Sequence, residues 1–392
     1  MNKLLILFFS TLLFLKQASA SQDSCGLKIS LLTVSPGQEL YSVFGHSALR
    51  IVDSVSQTDI IYNFGTFDFN DPDFYSKFVR GKLLYSLSQE TFQNFLYESE
   101  YFHRGVTEQV LSFSCDEKEL IQSNLFKNLQ EENRYYKYDF LKDNCTTRLR
   151  DIIFNATSKG SNNKFLFSKT ASTYRDYLHF YLNRAEMSWT KLGIDLLLGL
   201  DSDHNMSVFE SMFLPDFLLK GVGIAKWGGK SLVSEEKILL KDLQPKPVPP
   251  PFWKTPMCLF GVLSIIFIVL WNGKFKKVSV ILEKLDFSLF LIVGIFGCVL
   301  SFMWFGTDHL SFRYNINLLW ALPLHIIAAF YIKKQNVLAK IYFLVYSIVL
   351  LILIATMFLF PGKINVALLP LIILLSYRSW MIGKNDKKKL NQ

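Results

Sequence analysis

The sequence predicts an α+β exported domain followed by an all-α membrane bundle of about five transmembrane helices. Three observations support this prediction: a short hydrophobic leader, mixed strand and helix patterns up to residue 243, and five long apolar runs after residue 255. Hydrophobic residues make up 50% of the 392 residues and are concentrated in the C-terminal third. A single soluble globule is therefore excluded.

The first twenty residues have the pattern of a signal peptide. Lys3 is followed by an apolar stretch from Leu4 to Leu15, and small residues stand at Ala18 and Ala20. We expect residues 1–20 to be removed by cleavage after Ala20. The alternative is an uncleaved anchor, and in both cases the domain that follows is exported.

The exported domain is predicted to span residues 21–243. Strands and short helices alternate in its first half, and the part beyond residue 152 is expected to be more helical. The predicted strands are Lys28–Val34, His46–Val52, Asp59–Phe64, Lys82–Ser88 and Val106–Phe113, and the predicted helices are Asp73–Arg80, Thr91–Phe102 and Asp116–Asn133.

A proline-rich linker at residues 244–255 separates this domain from the membrane bundle at residues 256–382. Lysines cluster after the first, third and fifth apolar runs, and residues 383–392 form a basic tail. If the domain is outside, all these clusters are cytoplasmic, as the positive-inside rule requires. The predicted spans are Pro256–Trp271, Asp286–Phe305, Asn315–Tyr331, Leu338–Phe360 and Ile364–Ile382.

The formal net charge of +9 belongs mainly to those flanking lysines. This distribution fits membrane topology and lipid headgroups rather than nucleic acid, which requires a basic patch on a folded face. No nucleic-acid partner is expected. The chain also lacks metal-site, nucleotide-binding and serine-hydrolase motifs, so no metal and no cofactor are predicted.

Cys145 and His46 are the candidate catalytic residues. Asp143 or Asn144 can cap a helix whose first turn holds Cys145, where helix N–H groups favour a thiolate. A histidine on a strand can face such a cysteine in a papain-like arrangement. The alternative is structural: Cys145 forms a disulfide with Cys25 or Cys115, and His46 is a satisfied core residue.

Three segments resemble the Lnb N-terminal periplasmic domain family: GHSALRI (45–51), YKYDFLKDNCTTRLRD (136–151) and MFLPDFL (212–218). The C-terminal membrane helices resemble that family too. The order of histidine and cysteine also resembles the permuted papain-like group, which includes NlpC/P60 enzymes and lecithin:retinol acyltransferase. The resemblance implies a permuted papain-like exported domain in which His46 and Cys145 match the catalytic pair.

The family resemblance further implies a bacterial lipoprotein N-acyltransferase in the inner (cytoplasmic) membrane, with its catalytic domain in the periplasm. Its partners would be a phospholipid acyl donor, a diacylated lipoprotein acceptor and the membrane itself. A Cys145 thioester would carry the acyl group, with His46 as the general base.

Supporting roles are predicted for five polar residues. Asn144 is expected to shape the turn of the nucleophile or to cap its helix, and Asn63 or Tyr62 to orient His46. His309 and Arg313 lie in an exported loop between predicted spans and are candidates for headgroup binding, although ordinary interfacial polar residues would look the same.

Two other functions remain open on the sequence. The first is a cell-wall amidase or peptidase of the NlpC/P60 type that uses the same cysteine and histidine. The second is a non-enzymatic membrane-anchored binding or assembly protein in which Cys145 is structural. A disulfide between Cys25 and Cys115 that leaves Cys145 free would favour an enzyme.

Overall fold

The computed structural model describes residues 25–156, 164–227, 229–272, 279–334, 336–359 and 363–384. The predicted signal peptide (1–20) and residues 385–392 of the predicted basic tail lie outside the described residues. The described part comprises an N-terminal α+β domain with a large sheet and a helical C-terminal region.

A seven-stranded antiparallel sheet forms the centre of the exported domain, with the strand order β11-β5-β1-β2-β3-β4-β6. Two further pairs, β7 with β8 and β9 with β10, lie outside it. The strands are β1 (Leu27–Val34), β2 (His46–Asp53), β3 (Thr58–Thr66), β4 (Leu84–Thr91), β5 (Val106–Leu111), β6 (Tyr135–Lys137), β7 (Lys169–Thr173), β8 (Asn205–Ser207), β9 (Lys226–Trp227), β10 (Lys230–Ser231) and β11 (Val233–Leu240).

Helices cover both faces of the sheet because successive side chains of a strand point to opposite sides. On one face Leu31 and Leu49 are buried against helices α3, α4 and α8, and on the other face Leu32 and Ala48 are buried against Phe95 of α2. The helices of this domain are α1 (Phe74–Val79), α2 (Phe92–Tyr101), α3 (Cys115–Leu129), α4 (Cys145–Asn155), α5 (Tyr174–Arg184), α6 (Ser188–Leu197), α7 (Val208–Ser211) and α8 (Pro215–Ile224).

The predicted strands and helices up to residue 133 coincide with observed elements to within a few residues. The expectation of a mainly helical segment from residue 152 to 243 is only partly correct, because β11 forms one edge of the sheet by pairing with β5. Its pattern, VSEEKILL, is charged and largely exposed. An edge strand of this kind gives little period-2 hydrophobic signal.

In the described part of the C-terminal region, three helical segments are long and apolar enough to cross a membrane, namely Glu283–Phe305, Val337–Leu359 and Val366–Lys384. A shorter apolar helix covers Pro256–Trp271. The third predicted span, Asn315–Tyr331, is not one continuous helix. It consists of a 3₁₀ turn at Ile316–Leu319, a break at Pro323 and α11. The helices are α9 (Pro256–Asn272), α10 (Ser279–Phe305), α11 (His325–Tyr331), α12 (Val337–Leu359) and α13 (Leu369–Lys384).

Helix α6 attaches the exported domain to the membrane bundle. Its Leu192 is buried in the same apolar cluster as residues of the membrane helices. Asp195, also buried, accepts a hydrogen bond of 2.8 Å from Asn365 in the segment before α13, and a buried ion pair joins Asp195 to Arg175 at 3.0 Å. The catalytic-candidate domain and the bundle are thus joined by both apolar and polar contacts.

Candidate active site

Asn144 begins the helix that carries Cys145. Its Oδ1 accepts hydrogen bonds from the N–H groups of Thr146 and Thr147 at 2.8 and 2.9 Å, and its own N–H donates to Thr147 Oγ1 at 2.7 Å. These reciprocal bonds satisfy first-turn donors that have no partner within the helix. Cys145 is therefore fixed as the first residue of α4, at the positive end of the helix dipole.

The side-chain amide of Asn144 also joins two of the sequence motifs. Its Nδ2 donates to the carbonyl of Phe140 at 2.7 Å and to the carbonyl of Phe213 at 3.0 Å. Phe213 belongs to the MFLPDFL segment, so this segment buttresses the turn before the nucleophile. Asn144 is thus both the predicted cap and a buried cross-link.

The Cys145 thiol is partly buried and contacts several donors. Burial opposes its ionisation, but a hydrogen bond to His46, the charge of His46, the Thr146 hydroxyl and the Ser47 backbone N–H outweigh burial and lower the pKa of Cys145. The Thr146 hydroxyl oxygen lies 3.7 Å from the sulfur. A thiolate is therefore favoured at this position.

Gly45 allows the chain to present His46 at the start of β2. Its φ of +86° is unfavourable for residues with a side chain, and a Cβ there would lie 2.9 Å from the carbonyl oxygen of Val34. The following residue then enters the sheet, where His46 is paired with Val34. The glycine of the GHS motif is thus required by the backbone conformation, and the histidine by the chemistry of the site.

His46 lies between Cys145 and Asn63. Its Nε2 is 3.0 Å from Asn63 Oδ1, which leaves Nδ1 as the nitrogen available to the sulfur. Burial disfavours the charged imidazole, but the hydrogen bonds and charge from Cys145 and the hydrogen bond from Asn63 raise the pKa of His46. A lowered thiol pKa and a raised imidazole pKa together favour a thiolate–imidazolium pair.

Glu90 extends this chain of contacts and was not found from the sequence. Its Oε1 accepts a hydrogen bond of 2.6 Å from Asn63 Nδ2, which fixes the orientation of the amide so that Oδ1 faces His46. Burial raises the pKa of Glu90, and the contacts with Asn63 and His46 offset this only in part. Nothing in the sequence around Glu90 marks it as part of the site, because its contact with Asn63 depends on how β3 and β4 pair.

The structure separates the two predicted orienting residues. Asn63 contacts His46, whereas Tyr62 points to the opposite side of β3 and is buried among Leu49, Phe64 and other core residues. Burial raises the pKa of the Tyr62 hydroxyl, with Gln89 as its hydrogen-bond partner. The alternation of side chains along a strand accounts for the difference.

Tyr138 is a second residue that the sequence analysis missed, although it stands within the motif around Cys145. Burial, the charge of Cys145 and an interaction with its sulfur raise the pKa of Tyr138 well above the ordinary value. Gly65 has a φ of +90°, which residues with a side chain rarely adopt, and it lies beside both residues: a Cβ there would be in ordinary contact, at 3.5 Å, with Cys145 Cβ and Tyr138 Cε2. Tyr138 remains protonated and is a candidate oxyanion donor.

The cysteines of the exported domain are now assigned. Cys25 and Cys115 form a disulfide, with their Cα atoms 5.6 Å apart, and Cys145 is a free thiol. Of the three pairings left open by the sequence, this one leaves the candidate nucleophile reduced. Cys258 and Cys298 in the membrane helices are also free.

His309 and Arg313 lie in the loop after α10, on the side of the exported domain. His309 Nε2 is 3.1 Å from the carbonyl oxygen of Phe78, so this histidine contacts α1. The Arg313 side chain is exposed. The structure does not bring either residue into the set of contacts around Cys145, and their role toward a headgroup stays a prediction.

Cys145 lines neither of two cavities found in the described part of the chain. One of about 390 Å³ lies between the start of α6 and the linker, and one of about 270 Å³ lies beside α12. The first is lined by Glu186, Met187, Ser188, Trp189, Thr190, Pro250 and Lys254, and the second by Ile316, Leu319, Val349, Ile352, Leu353, Thr356, Met357, Lys363 and Ile364.

Comparison with known protein families gives two matches. Residues 14–180 match the model of the Lnb N-terminal periplasmic domain, and residues 250–389 match that of the Lnb transmembrane domain. The matches follow the order of the exported domain and the membrane bundle. No curated protein and no solved structure matches the chain, so the permuted papain-like relation stays a prediction.

Proposed function

The chain belongs to the Lnb family, whose members are membrane-anchored enzymes that modify lipoproteins, and on this basis we propose that it is a cysteine-dependent lipoprotein N-acyltransferase. Its acyl donor would be a glycerophospholipid, and its acceptor the α-amine of the N-terminal cysteine of a diacylated lipoprotein. Cys145 would be the nucleophile and His46 the general base.

One observation carries this proposal: a free thiol stands at the first position of a helix, its pKa is lowered by His46, and that histidine is itself held by an asparagine. The helix start and the imidazole both favour the thiolate, which is the reactive form of cysteine. A nucleophile, a base and a residue that orients the base are the minimal set for acyl transfer through a thioester.

In the first step the Cys145 thiolate attacks the carbonyl carbon of a phospholipid ester. The carbon–sulfur bond forms, and the negative charge develops on the carbonyl oxygen, where the Tyr138 hydroxyl and the backbone N–H of Cys145 would be the donors. Collapse of this intermediate breaks the ester bond. The departing glycerol oxygen takes the proton of the His46 imidazolium, and the products are an acyl thioester and a lysophospholipid.

In the second step the amine of the lipoprotein attacks the thioester carbonyl. Neutral His46 removes the proton of the attacking nitrogen, and the carbon–sulfur bond breaks as the amide forms. The Cys145 thiolate and the His46 imidazolium are restored. The net reaction moves one acyl group from an ester oxygen to a nitrogen and needs no oxidant, metal or nucleotide.

The free Cys145 thiol also bears on the two alternative functions. A structural cysteine would be expected in the disulfide, whereas Cys25 and Cys115 form that bond instead. This arrangement supports an enzyme over a binding protein. The membrane bundle supports a lipid-linked substrate over a cell-wall substrate, because a cell-wall amidase needs only an anchor.

The deciding experiment reads the N-terminus of a lipoprotein by mass spectrometry of its lipopeptide. The host should lack any other N-acyltransferase and express the wild-type chain, Cys145→Ala or the matched control Cys298→Ala, which removes another free thiol. We expect a triacylated peptide with the wild type and the control, and a diacylated peptide with Cys145→Ala.

Membrane insertion of each variant is checked by fractionation, so that a missing protein is not mistaken for a missing thiol. Triacylation that persists in Cys145→Ala would contradict the thioester mechanism. A diacylated product with the wild-type chain would contradict the N-acyltransferase function itself.

A further inference from the structure

An uninterrupted series of aromatic rings leads from the tip of α1 to the candidate nucleophile. Phe78 stacks on Phe74 with ring centroids 6.2 Å apart, and Phe74 stacks on Phe67 at 5.7 Å. Phe67 meets Tyr85 edge to face at 5.1 Å, and Tyr85 stacks on Tyr138 at 4.4 Å. Tyr138 lies beside Cys145, since a Cβ placed on Gly65 would be 3.5 Å from both Tyr138 Cε2 and Cys145 Cβ. We call Phe67, Phe74, Phe78, Tyr85 and Tyr138 the aromatic track.

The outer end of the aromatic track is strongly exposed. Tyr75 is 81% exposed, Phe69 73% and Phe78 51%, and Phe69 packs on Phe74 with ring centroids 5.1 Å apart. An exposed cluster of large aromatic side chains on a domain surface indicates contact with an apolar partner. A partner is needed here because these residues have no core to enter.

The position of α1 identifies that partner as the bilayer. Asp308 donates its N–H to the carbonyl of Arg80 at 2.9 Å, and His309 Nε2 lies 3.1 Å from the carbonyl oxygen of Phe78. The membrane-spanning helix α10 ends at Phe305. Three residues of chain reach at most about 10 Å, so the end of α1 lies close to the point where α10 leaves the hydrocarbon.

Basic residues that follow α1 fit a lipid surface as well, although Asp68, Asp71 and Asp73 precede it, and Asp71 is paired with Lys77 at 2.7 Å. Arg80 and Lys82 follow α1 and are exposed, and the exposed ring of Phe305 ends α10. Aromatic rings at the edge of the hydrocarbon and basic groups at the depth of the phosphates are typical of segments that rest in the membrane interface. A soluble protein partner would not require this arrangement.

The inner end of the aromatic track is tied to the same membrane loop. Lys137, the residue before Tyr138, forms an ion pair of 2.7 Å with Asp308. Both ends of the track are therefore anchored at residues 308–309. The ion pair keeps the segment before Tyr138 close to the end of the membrane-spanning helix.

We propose that the aromatic track lies in the outer leaflet of the bilayer at its α1 end and guides a phospholipid acyl chain from that leaflet to Cys145. The second part of this proposal, delivery of the acyl chain to Cys145, rests on the proposed acyltransferase function. The first half, insertion of the α1 end into the leaflet, is independent of catalysis.

The first experiment measures insertion directly. The full-length chain, with Cys145, Cys258 and Cys298 changed to alanine, carries Tyr75→Cys labelled with the environment-sensitive dye NBD in phosphatidylethanolamine–phosphatidylglycerol vesicles. We expect a blue-shifted emission that lipids with a nitroxide near the headgroup quench. The matched control, Val55→Cys, is 79% exposed at the opposite end of β2 from His46 and should not be quenched.

Equal quenching, or its absence, at both positions would overturn the insertion. Because Cys145 is missing from these proteins, this result is unaffected by whether the chain is an acyltransferase. The two proposals can therefore fail separately. If the dye at Tyr75→Cys is quenched, but lipoproteins are still triacylated in cells that express Cys145→Ala, the membrane contact stands and only the proposed function is rejected.

The second experiment tests delivery of the acyl chain. In vesicles, acylation of Cys145 is compared between the wild type, Phe69→Asp, Phe69→Trp and the control Val55→Asp. We expect a decrease of at least about 10-fold for Phe69→Asp, with near wild-type rates for Phe69→Trp and Val55→Asp. Alkylation of Cys145 by iodoacetamide shows that the site of each variant is folded.

A wild-type acylation rate in Phe69→Asp, measured while NBD at position 75 is no longer quenched in that background, would overturn the role of the track in delivery. An equal decrease in Val55→Asp would overturn it as well, because a charge far from the track should not affect access to the bilayer.

Discussion

Asn63 Oδ1 lies 3.0 Å from Nε2 of His46, and Asn63 Nδ2 donates to Glu90 at 2.6 Å. The carboxylate can accept but cannot donate, so it fixes which end of the Asn63 amide faces the imidazole. The imidazole is in turn fixed with its other nitrogen toward Cys145. A short polar chain across three neighbouring strands therefore sets the geometry of the candidate base.

Asn63→Ala should reduce the rate of acyl transfer by about 100-fold, because the imidazole loses the hydrogen bond that orients it toward the sulfur. KM should change little, since Asn63 does not reach the position of the substrate. Steady-state kinetics with vesicle phospholipid and a diacylated lipopeptide would separate kcat from KM.

The matched control is Tyr62→Phe, which removes only a hydroxyl from the neighbouring residue of the same strand. Tyr62 belongs to the core and does not contact His46, so its rate should stay within about 2-fold of the wild type. Equal losses in the two variants would indicate that β3 tolerates neither change and would contradict a specific role for Asn63.

The pH dependence of alkylation should reveal the thiolate–imidazolium pair. Since the pKa of Cys145 is lowered, its thiolate forms at lower pH than that of an ordinary thiol, for which the pKa is about 8.5. In His46→Ala the hydrogen bond and charge of the imidazole are lost while burial still opposes ionisation. The half-maximal rate should therefore move to higher pH.

This measurement uses iodoacetamide and mass spectrometry, in a chain with Cys258 and Cys298 replaced by alanine so that Cys145 is the free thiol observed. Superimposable profiles for the wild type and His46→Ala would mean that the imidazole does not influence the sulfur. The Cys25–Cys115 disulfide does not react and serves as an internal check on the mass.

The sequence predicted Cys145, His46 and Asn144 in their observed places because the signals are local. A capping residue, a helix start and a glycine before a strand are all read within a few positions. The choice between Asn63 and Tyr62 could not be made from neighbouring residues alone. It required the register that puts Asn63 on the same side of the sheet as His46.

Glu90, Tyr138 and β11 were not predicted for a related reason. Glu90 and β11 owe their positions to partners distant in sequence, Asn63 and β5. Tyr138 is close to Cys145 in sequence, but a tyrosine in that motif does not by itself indicate a contact with the sulfur. The break in the third predicted span also involves a contact distant in sequence, since Asn315 Nδ2 donates to the carbonyl of Leu196 at 2.8 Å. Hydropathy alone could not distinguish this segment from a continuous helix.

Removal of the disulfide should destabilise the exported domain without affecting the chemistry. It links residues 90 positions apart, and in the chain-entropy account a loop of this length contributes about 4.6 kcal/mol. Cys25→Ser with Cys115→Ser should lower the midpoint of thermal unfolding in detergent, while Cys145 keeps its alkylation rate below that temperature. An unchanged midpoint would contradict the prediction.

The contact between Asp195 and Asn365 should hold the exported domain against the bundle. Asn365→Ala removes a hydrogen bond to a buried carboxylate, a loss of about 2 kcal/mol. Because Leu192 and the rest of the apolar interface remain, we expect local loosening: hydrogen–deuterium exchange of α6 should accelerate, while the midpoint of global unfolding changes little.

Asp195→Ala should have a larger and different effect, because it also deprives the buried Arg175 guanidinium of an ion-pair partner at 3.0 Å. Leaving a buried charge partly uncompensated costs about 3–5 kcal/mol, so the whole exported domain should unfold at lower temperature. The control Asn205→Ala removes an exposed amide and should match the wild type in both measurements. If Asn365→Ala and Asn205→Ala exchange at the same rate in α6, the hydrogen bond does not hold the two regions together.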